Sequence, residues 1–265
     1  MSTSARIGII GFGAIGAEIS RVLGDLGEVS SVAAVLVREG RAGGGHVAVH
    51  DVRALLESGA RIVLECAGHD ALRSYGPTVL RGGADLIVTS VGALADPDTA
   101  VSLREAALGG GRLLLAPGAV GGLDGLLAAR LGGLEMASYT SIKPPHAWRG
   151  TPAEGLIDFD NPLQDQVLFD GSAREAASRF PKNANVAVAV GMCALGLDRT
   201  RAVLKSSRAI SDPLGVIEAS GAFGRLRYET FAYASPFNPK TSLLTAYSLL
   251  QCARLGQGIP ILDLL

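Results

Sequence analysis

An α/β fold in two domains, led by an N-terminal doubly wound parallel sheet of the Rossmann type, is what three features of this 265-residue sequence predict. Short apolar runs alternate with segments of helical spacing through the first 118 residues. A glycine-rich turn, GFGAIG, joins the first such pair. After about residue 120 the pattern changes to longer strand-like stretches with few helices, which predicts a second α/β domain with a mixed or antiparallel sheet.

The elements follow in order. Residues 6–10 are an Ile-rich run of buried-strand type, and from Ala14 to Leu26 the spacing turns helical, with Ile15, Ile19, Val22 and Leu23 on one side. Residues 32–37 give the second strand and 54–58 a short helix. RIVLECAG (61–68) gives a third strand, and the segment from Ala71 to Gly83 a helix broken near Pro77. DLIVTSVGA (85–93) reads as a strand, 99–109 as a helix, and GRLLLAPGAVGG as a strand ending in a loop. Beyond the boundary near 118, GLDGLLAARLGG is a helix. ASYTSIKP, DQVLFDG, RAVLKSS and LGVIEASGAFGRLRYETFA are strands, and the alternation in the last marks an antiparallel pair. A patterned helix spans 182–197. Asn-Pro and Thr-Ser open a final helix that closes on Gly, so residues 239–265 are expected to complete the first domain, leaving 119–238 as the second.

Composition narrows the function classes. Hydrophobic residues are 48% and charged residues 18%, which fits a well-buried globular chain rather than a disordered one. A net charge of -1 offers no basic footprint for nucleic acid or an anionic membrane. The N-terminus runs straight into a strand without a secretion-signal pattern, and the longest apolar run, at 186–197, is too short to span a bilayer. Cys66, Cys193 and Cys252 lack C-x-x-C spacing, so no disulfide framework or zinc site is expected and a reducing cytoplasm fits.

Gly11, Gly13 and Gly16 match G-x-G-x-x-G directly after a strand and at the start of a helix. That context meets three needs of dinucleotide binding: a tight turn, a backbone close enough to touch a pyrophosphate, and close helix packing. Ala14 and Ile15 share the helix N-terminus, whose free N–H groups favour phosphate. An acidic residue for the ribose is expected about twenty residues on. Arg38 stands there with Glu39 beside it. Arginine pairs with a 2′-phosphate and glutamate accepts from a 2′-hydroxyl, so NAD and NADP both stay open, as does an ordinary solvated Arg–Glu pair.

LECAGHDAL (64–72), VTSVGAL (88–94), LLAPGAVGGLDGL (114–126), LFDGSAREAASRFPKNANVAVAV (168–190) and EASGAFG with NPKTSLLTAYS (218–248) together resemble the L-aspartate dehydrogenase family over nearly the whole chain. The resemblance implies a cofactor domain followed by a substrate and oligomer domain. It also implies NAD(P)-linked deamination of L-aspartate to iminoaspartate or oxaloacetate and ammonia, or the reverse, by a homodimer or homotetramer. It makes Ala119 and Asn185 cofactor contacts, while the bare sequence reads Asn185 as a helix N-cap. In one place the chain departs from the family: the catalytic histidine's position falls on Gly215, which has no proton to transfer. An imine or carbonyl reductase with a changed substrate, and a dinucleotide-binding protein with little activity, are the alternatives this opens.

Four histidines remain for proton work. His46 and His50 lie in an alternating, strand-like HVAVH, poorly spaced for a metal. His69 follows a strand at the ligand-bearing edge. His146 lies in KPPHAWRGTPAE (143–154), which resembles more loosely the substrate loop of dihydrodipicolinate reductases. There Lys143 precedes Gly150-Thr151, and Thr151 with Glu154 has capping-box spacing for a helix start. Lys143 and His146 are thus the catalytic candidates. Arg149, Gly150 and Thr151 are candidates for binding a carboxylate, as a plain capped helix anchored by Trp148 is the structural alternative. Lys240, at another expected helix start, is a further cation.

Overall fold

The computed structural model describes residues 6–181, 183–235 and 238–264. Along the chain the first elements are β1 (Ile7–Ile10), α1 (Ala14–Asp25), β2 (Val32–Leu36), β3 (Ala48–Val49), α2 (Val52–Glu57), β4 (Ile62–Glu65), α3 (His69–Arg81), β5 (Asp85–Val88), α4 (Pro97–Ala107) and β6 (Leu113–Leu115). Strands β1, β4 and β6 are buried at every position, because helices cover both faces of a parallel sheet, and this is why they read as unbroken apolar runs. The sheet order β3-β2-β1-β4-β5-β6 reverses direction between β1 and β4. The crevice at the carboxyl ends of those two strands is where open α/β sheets bind ligands.

Two details of these first elements differ from expectation. Helix α3 runs unbroken through Pro77. A mid-helix proline costs about 3 kcal/mol, and packing offsets it here: Leu72, Val79 and Leu80 are fully buried, and Gly76 fits so closely that a Cβ there would stand 2.7 Å from Leu103. The strand expected over 85–93 stops at Val88, and residues Val91–Ala95 form a 3-10 turn instead.

Then come α5 (Leu123–Leu131), β7 (Leu134–Lys143), β8 (Asp165–Ser172), α6 (Ala173–Arg179), α7 (Asn185–Cys193), β9 (Arg201–Ser207), β10 (Leu214–Gly221), β11 (Gly224–Phe231), β12 (Ala234–Ser235) and β13 (Asn238–Ser242). Five of these strands form a mixed sheet in the order β11-β10-β7-β9-β8, in which only β7 and β9 run parallel. The alternating segment is the β10–β11 hairpin, with Gly221 opposite Gly224. The helix expected over 182–197 is shorter: it begins at Asn185, and Ala184 is its N-cap, so Asn185 is the first helical residue rather than the cap.

The chain ends with α8 (Leu243–Leu255) and β14 (Ile259–Pro260). Ala246, Leu249, Leu250 and Ala253 of α8 join Ile9, Ile19, Leu23, Val35 and Leu64 in one core. The α-helix does not run on to the end, as the 239–265 reading has it: Gly256 ends it, β14 adds antiparallel to β6, where Pro260 suits an edge strand, and a 3-10 turn, Leu262–Leu264, follows. The contacts divide the chain into two compact units, residues 1–118 with 245–263, and residues 119–244. Among the described residues, no helix is long and apolar enough to cross a membrane, the three cysteines are free, and no group of acidic, histidine and cysteine side chains has the makings of a metal site.

Helices α1 and α8 are joined by a polar contact. Glu18, nearly buried, accepts from Arg21 Nη2 at 2.7 Å and from the Tyr247 hydroxyl at 2.8 Å. The Arg21 hydrogen bond holds its carboxyl below the usual carboxylate range, although burial pulls the other way. A carboxyl whose pKa is depressed by folding stabilises the fold above its unfolded pKa and stops doing so as pH falls through its folded one. Glu18→Gln is therefore expected to melt lower than the parent at neutral pH. By calorimetry the gap should close as pH drops below about 4, and a gap that persists in acid would show that the charge is not the cause.

Candidate cofactor and substrate sites

The glycine turn sits at the point where the strand order reverses. Gly11 follows β1 with φ +91°, and a Cβ there would strike Ala67 at 2.7 Å. Gly16, one turn into α1, lies so close to the Gly11 carbonyl that a Cβ would come within 2.5 Å of it. Gly13 is different: a Cβ on it would meet nothing within 4 Å. The first and third glycines are thus required by the protein's own packing, while the second opens a space beside the helix N-terminus. Gly13 caps α1 without a side chain, and the first turn, with Ala14 and Ile15, holds no acidic residue. Its amides and helix dipole face that space with no competing anion, which fits the pyrophosphate of a dinucleotide.

Glu65, which sequence reasoning passed over, closes β4 beside Ile10. Its carboxylate is fully buried and accepts from the amides of Ala67 and Gly68, both at 2.8 Å, and of Ser90 at 3.0 Å. The Thr89 hydroxyl donates to its backbone carbonyl. One side chain therefore ties the loops after β4 and β5 together at the ligand-bearing edge. The only signal in the sequence is an acidic residue closing an otherwise apolar strand. Arg38 is exposed just beyond β2, and His69 is the first residue of α3.

The second unit holds the remaining candidates. Ala119 lies in the turn after β6 and Asn185 opens α7, both half-buried. Lys143 ends β7, with its ammonium 5.1 Å from the centre of the Trp148 ring. His146 is exposed on the 3-10 turn Pro145–Trp148, and the Arg149 guanidinium lies over Phe159 at 4.0 Å. The helix expected to begin at Gly150-Thr151 does not form: only a 3-10 turn, Glu154–Leu156, follows. The Gly150 amide instead donates to Glu154 at 2.8 Å, and the Thr151 hydroxyl donates to the Trp148 carbonyl at 2.6 Å and accepts from Ala153. Glu154 reaches the amide of Gly150, so the loop closes on itself and presents no helix N-terminus. Lys240 has its backbone in β13, not at a helix start, and its side chain lies outside the described residues.

Gly215 is in β10 opposite Ser141 of β7. A Cβ there would touch the Tyr139 ring edge and hydroxyl at 3.3 Å and Val120 at 3.4 Å. Tyr139 thus faces the place that a side chain at 215 would enter. Burial pushes its phenol up to about 12, so it stays protonated and is a donor at neutral pH.

A parallel sheet in this order, with a glycine cradle open at its middle glycine, defines a dinucleotide-binding protein of the Rossmann class. Residues 11–117 match the family described as "Homoserine dehydrogenase, NAD binding domain", and residues 124–255 match "Aspartate dehydrogenase, C-terminal". The chain belongs to the L-aspartate dehydrogenase family. The L-aspartate dehydrogenase of Pseudomonas aeruginosa is 40% identical over 254 residues, spanning 93% of this chain and 95% of that one. That of Ruegeria pomeroyi is 41% identical, over 94% and 91%. The solved aspartate dehydrogenase of Thermotoga maritima, 22% identical, shares the fold with a TM-score of 0.73 over 96% of this chain and 97% of that chain.

Proposed function

We propose that this chain catalyses the NAD(P)-linked oxidative deamination of L-aspartate to iminoaspartate or oxaloacetate and ammonia, or the reverse reductive amination. The observation that carries this reading is 40% identity, over nearly the full length, to a relative named L-aspartate dehydrogenase; the open cradle at Gly13 supports it. The dinucleotide, when bound, supplies the hydride acceptor or donor. Gly11, Gly13, Ala14, Ile15 and Gly16 hold its pyrophosphate, with Ala119 and Asn185 as further contacts. Residues 1–118 with the C-terminal helix serve as the cofactor domain, and 119–238 serve for substrate and for assembly as a homodimer or homotetramer in the cytoplasm.

A dicarboxylate substrate needs cations, and deamination needs a group to take the amine's proton. With the Gly150 amide and Thr151 hydroxyl engaged in their own turn, Lys143 and Arg149 carry the charge, and Gly150 and Thr151 shape the loop that presents them. His146 takes the proton role, since Gly215 has no side chain to do so.

The test follows oxidation of NADH and of NADPH with oxaloacetate plus ammonia. Turnover is expected, Gly13→Ala should lose dinucleotide binding while melting with the parent, and His146→Ala should lower kcat by about 10²-fold or more. Gly215→His should raise it, if the added imidazole reaches the reacting centre. Failure to oxidise either cofactor would sink the aspartate reading, and an unchanged His146→Ala would remove that residue from the mechanism. Turnover with other imines or carbonyl compounds, but not with oxaloacetate, would move the substrate, the outcome that the loss of a histidine at 215 favours.

A further inference from the structure

We propose that the loop after β2 makes this protein prefer NADP(H) over NAD(H), with Arg38 and Arg41 clamping the 2′-phosphate of the adenine ribose. The proposal rests on the dinucleotide reading above and adds to it the identity of the cofactor.

The end of the second strand is where a Rossmann sheet meets the adenine ribose: a carboxylate there accepts from a 2′-hydroxyl, and an arginine there accommodates a 2′-phosphate. Here the first residue past the buried Val37 is Arg38. The chain then turns back, the Arg41 amide donating to the Arg38 carbonyl at 3.0 Å, so the two arginines stand at the two ends of one four-residue turn. Both are exposed, and neither is in an ion pair among the described residues. What sets the pair apart is its place, two arginines on one turn directly after the second strand of the sheet. Glu39 is the one acidic residue from 38 to 50, and Asp51 is committed to capping α2 through the amides of Arg53 and Ala54. A dianionic phosphate meets two guanidinium groups against one carboxylate, and guanidinium suits phosphate because its paired donors match two oxygens at once.

The loop is also fastened to the pyrophosphate cradle. His46 Nε2 and the Ser20 hydroxyl of α1 are 2.7 Å apart, and the imidazole stands edge-on to Phe12, the residue between the first two glycines. Gly44 lies so close to the Phe12 ring that a Cβ there would overlap it. The amides of Val35 and Val37 donate to the carbonyls of Val47 and Val49, and His50 Nδ1 lies 3.1 Å from the Val37 carbonyl. Arg38 and Arg41 are thus held by a loop anchored on both sides, at α1 and at β2. A loop whose backbone is fixed before binding loses less freedom when the phosphate arrives, so more of the arginines' attraction appears as affinity.

The experiment titrates the whole chain, without substrate, by calorimetry. The ligands are NADP+ and NAD+, then adenosine 2′,5′-bisphosphate and adenosine 5′-monophosphate, with inorganic phosphate as the bare anion. In each pair the 2′-phosphorylated member is expected to bind about tenfold tighter or more, the step one charged hydrogen-bonding partner supplies. Arg38→Ala and Arg41→Ala should each narrow the ratio and the double variant abolish it, with circular dichroism unchanged because both side chains are exposed. Equal binding within each pair, a ratio that survives the double variant, or inorganic phosphate binding as tightly as the bisphosphate would overturn the preference. If the two dinucleotides bind equally, the preference alone falls; if neither binds, the cofactor reading falls with it.

Discussion

Glu65→Leu is expected to lower stability by about 3–5 kcal/mol, since three backbone amides lose their acceptor and each unmet buried donor costs about 1–3 kcal/mol. Ala67, Gly68 and Ser90 all donate to this carboxylate, and no neighbouring apolar side chain can replace it. Glu65→Gln is expected to cost less, about 1–3 kcal/mol. Its amide oxygen can still serve Ala67 and Gly68, but its NH2 then faces the Ser90 amide, donor against donor. Urea unfolding reads both values. Dinucleotide titration reads the functional side: the two tied loops flank the crevice outside β1 and β4, so both variants should bind NAD(P) more weakly than their stability alone accounts for at low temperature. A Leu variant that unfolds with the parent would show that the amides find other partners and that the carboxylate is not the tie.

Trp148→Ala is expected to cost about 3–5 kcal/mol, the range for truncating a fully buried aromatic side chain. Trp148 has no exposed surface, lies under the Lys143 ammonium, and its carbonyl takes both the amide and the hydroxyl of Thr151. It therefore anchors the loop that carries His146, Arg149 and Gly150. Its indole N–H is buried without a partner among the described residues. Trp148→Phe removes that unmet donor while keeping most of the ring, so its cost is expected to stay under about 2 kcal/mol. Equilibrium denaturation of the pair decides: Ala and Phe variants of equal stability would mean that ring packing is not what holds the loop.

The glycine cradle was legible in the sequence because its signal is local. Three glycines at fixed spacing after an apolar run state both the turn and the helix that follows, and Gly11, Gly13 and Gly16 divide their roles in that way. Runs such as 62–65 and 113–115 were legible as strands because burial on both faces leaves nothing but apolar side chains. The KPPHAWRGTPAE loop misled in one respect. Thr151 and Glu154 have the spacing of a capping box, yet the Glu154 carboxylate turns to Gly150, and a 3-10 turn forms where a helix was expected. The true capping box, Ser172 with Glu175 at the start of α6, has the same spacing and went unread.

What the sequence by itself determined is the class of sheet, the glycine turn between β1 and α1, and the absence of a histidine at 215. Each is written in consecutive residues or in a fixed period, so no knowledge of distant contacts is needed. The tertiary structure alone decided that α3 passes through Pro77, that Glu65 binds amides 25 residues away in Ser90, that His46 fastens the arginine turn to α1, and that Tyr139 faces Gly215. These depend on which groups meet across strands and helices far apart in the chain. A buried polar atom takes whichever partner the packing brings within reach, and no local pattern names that partner.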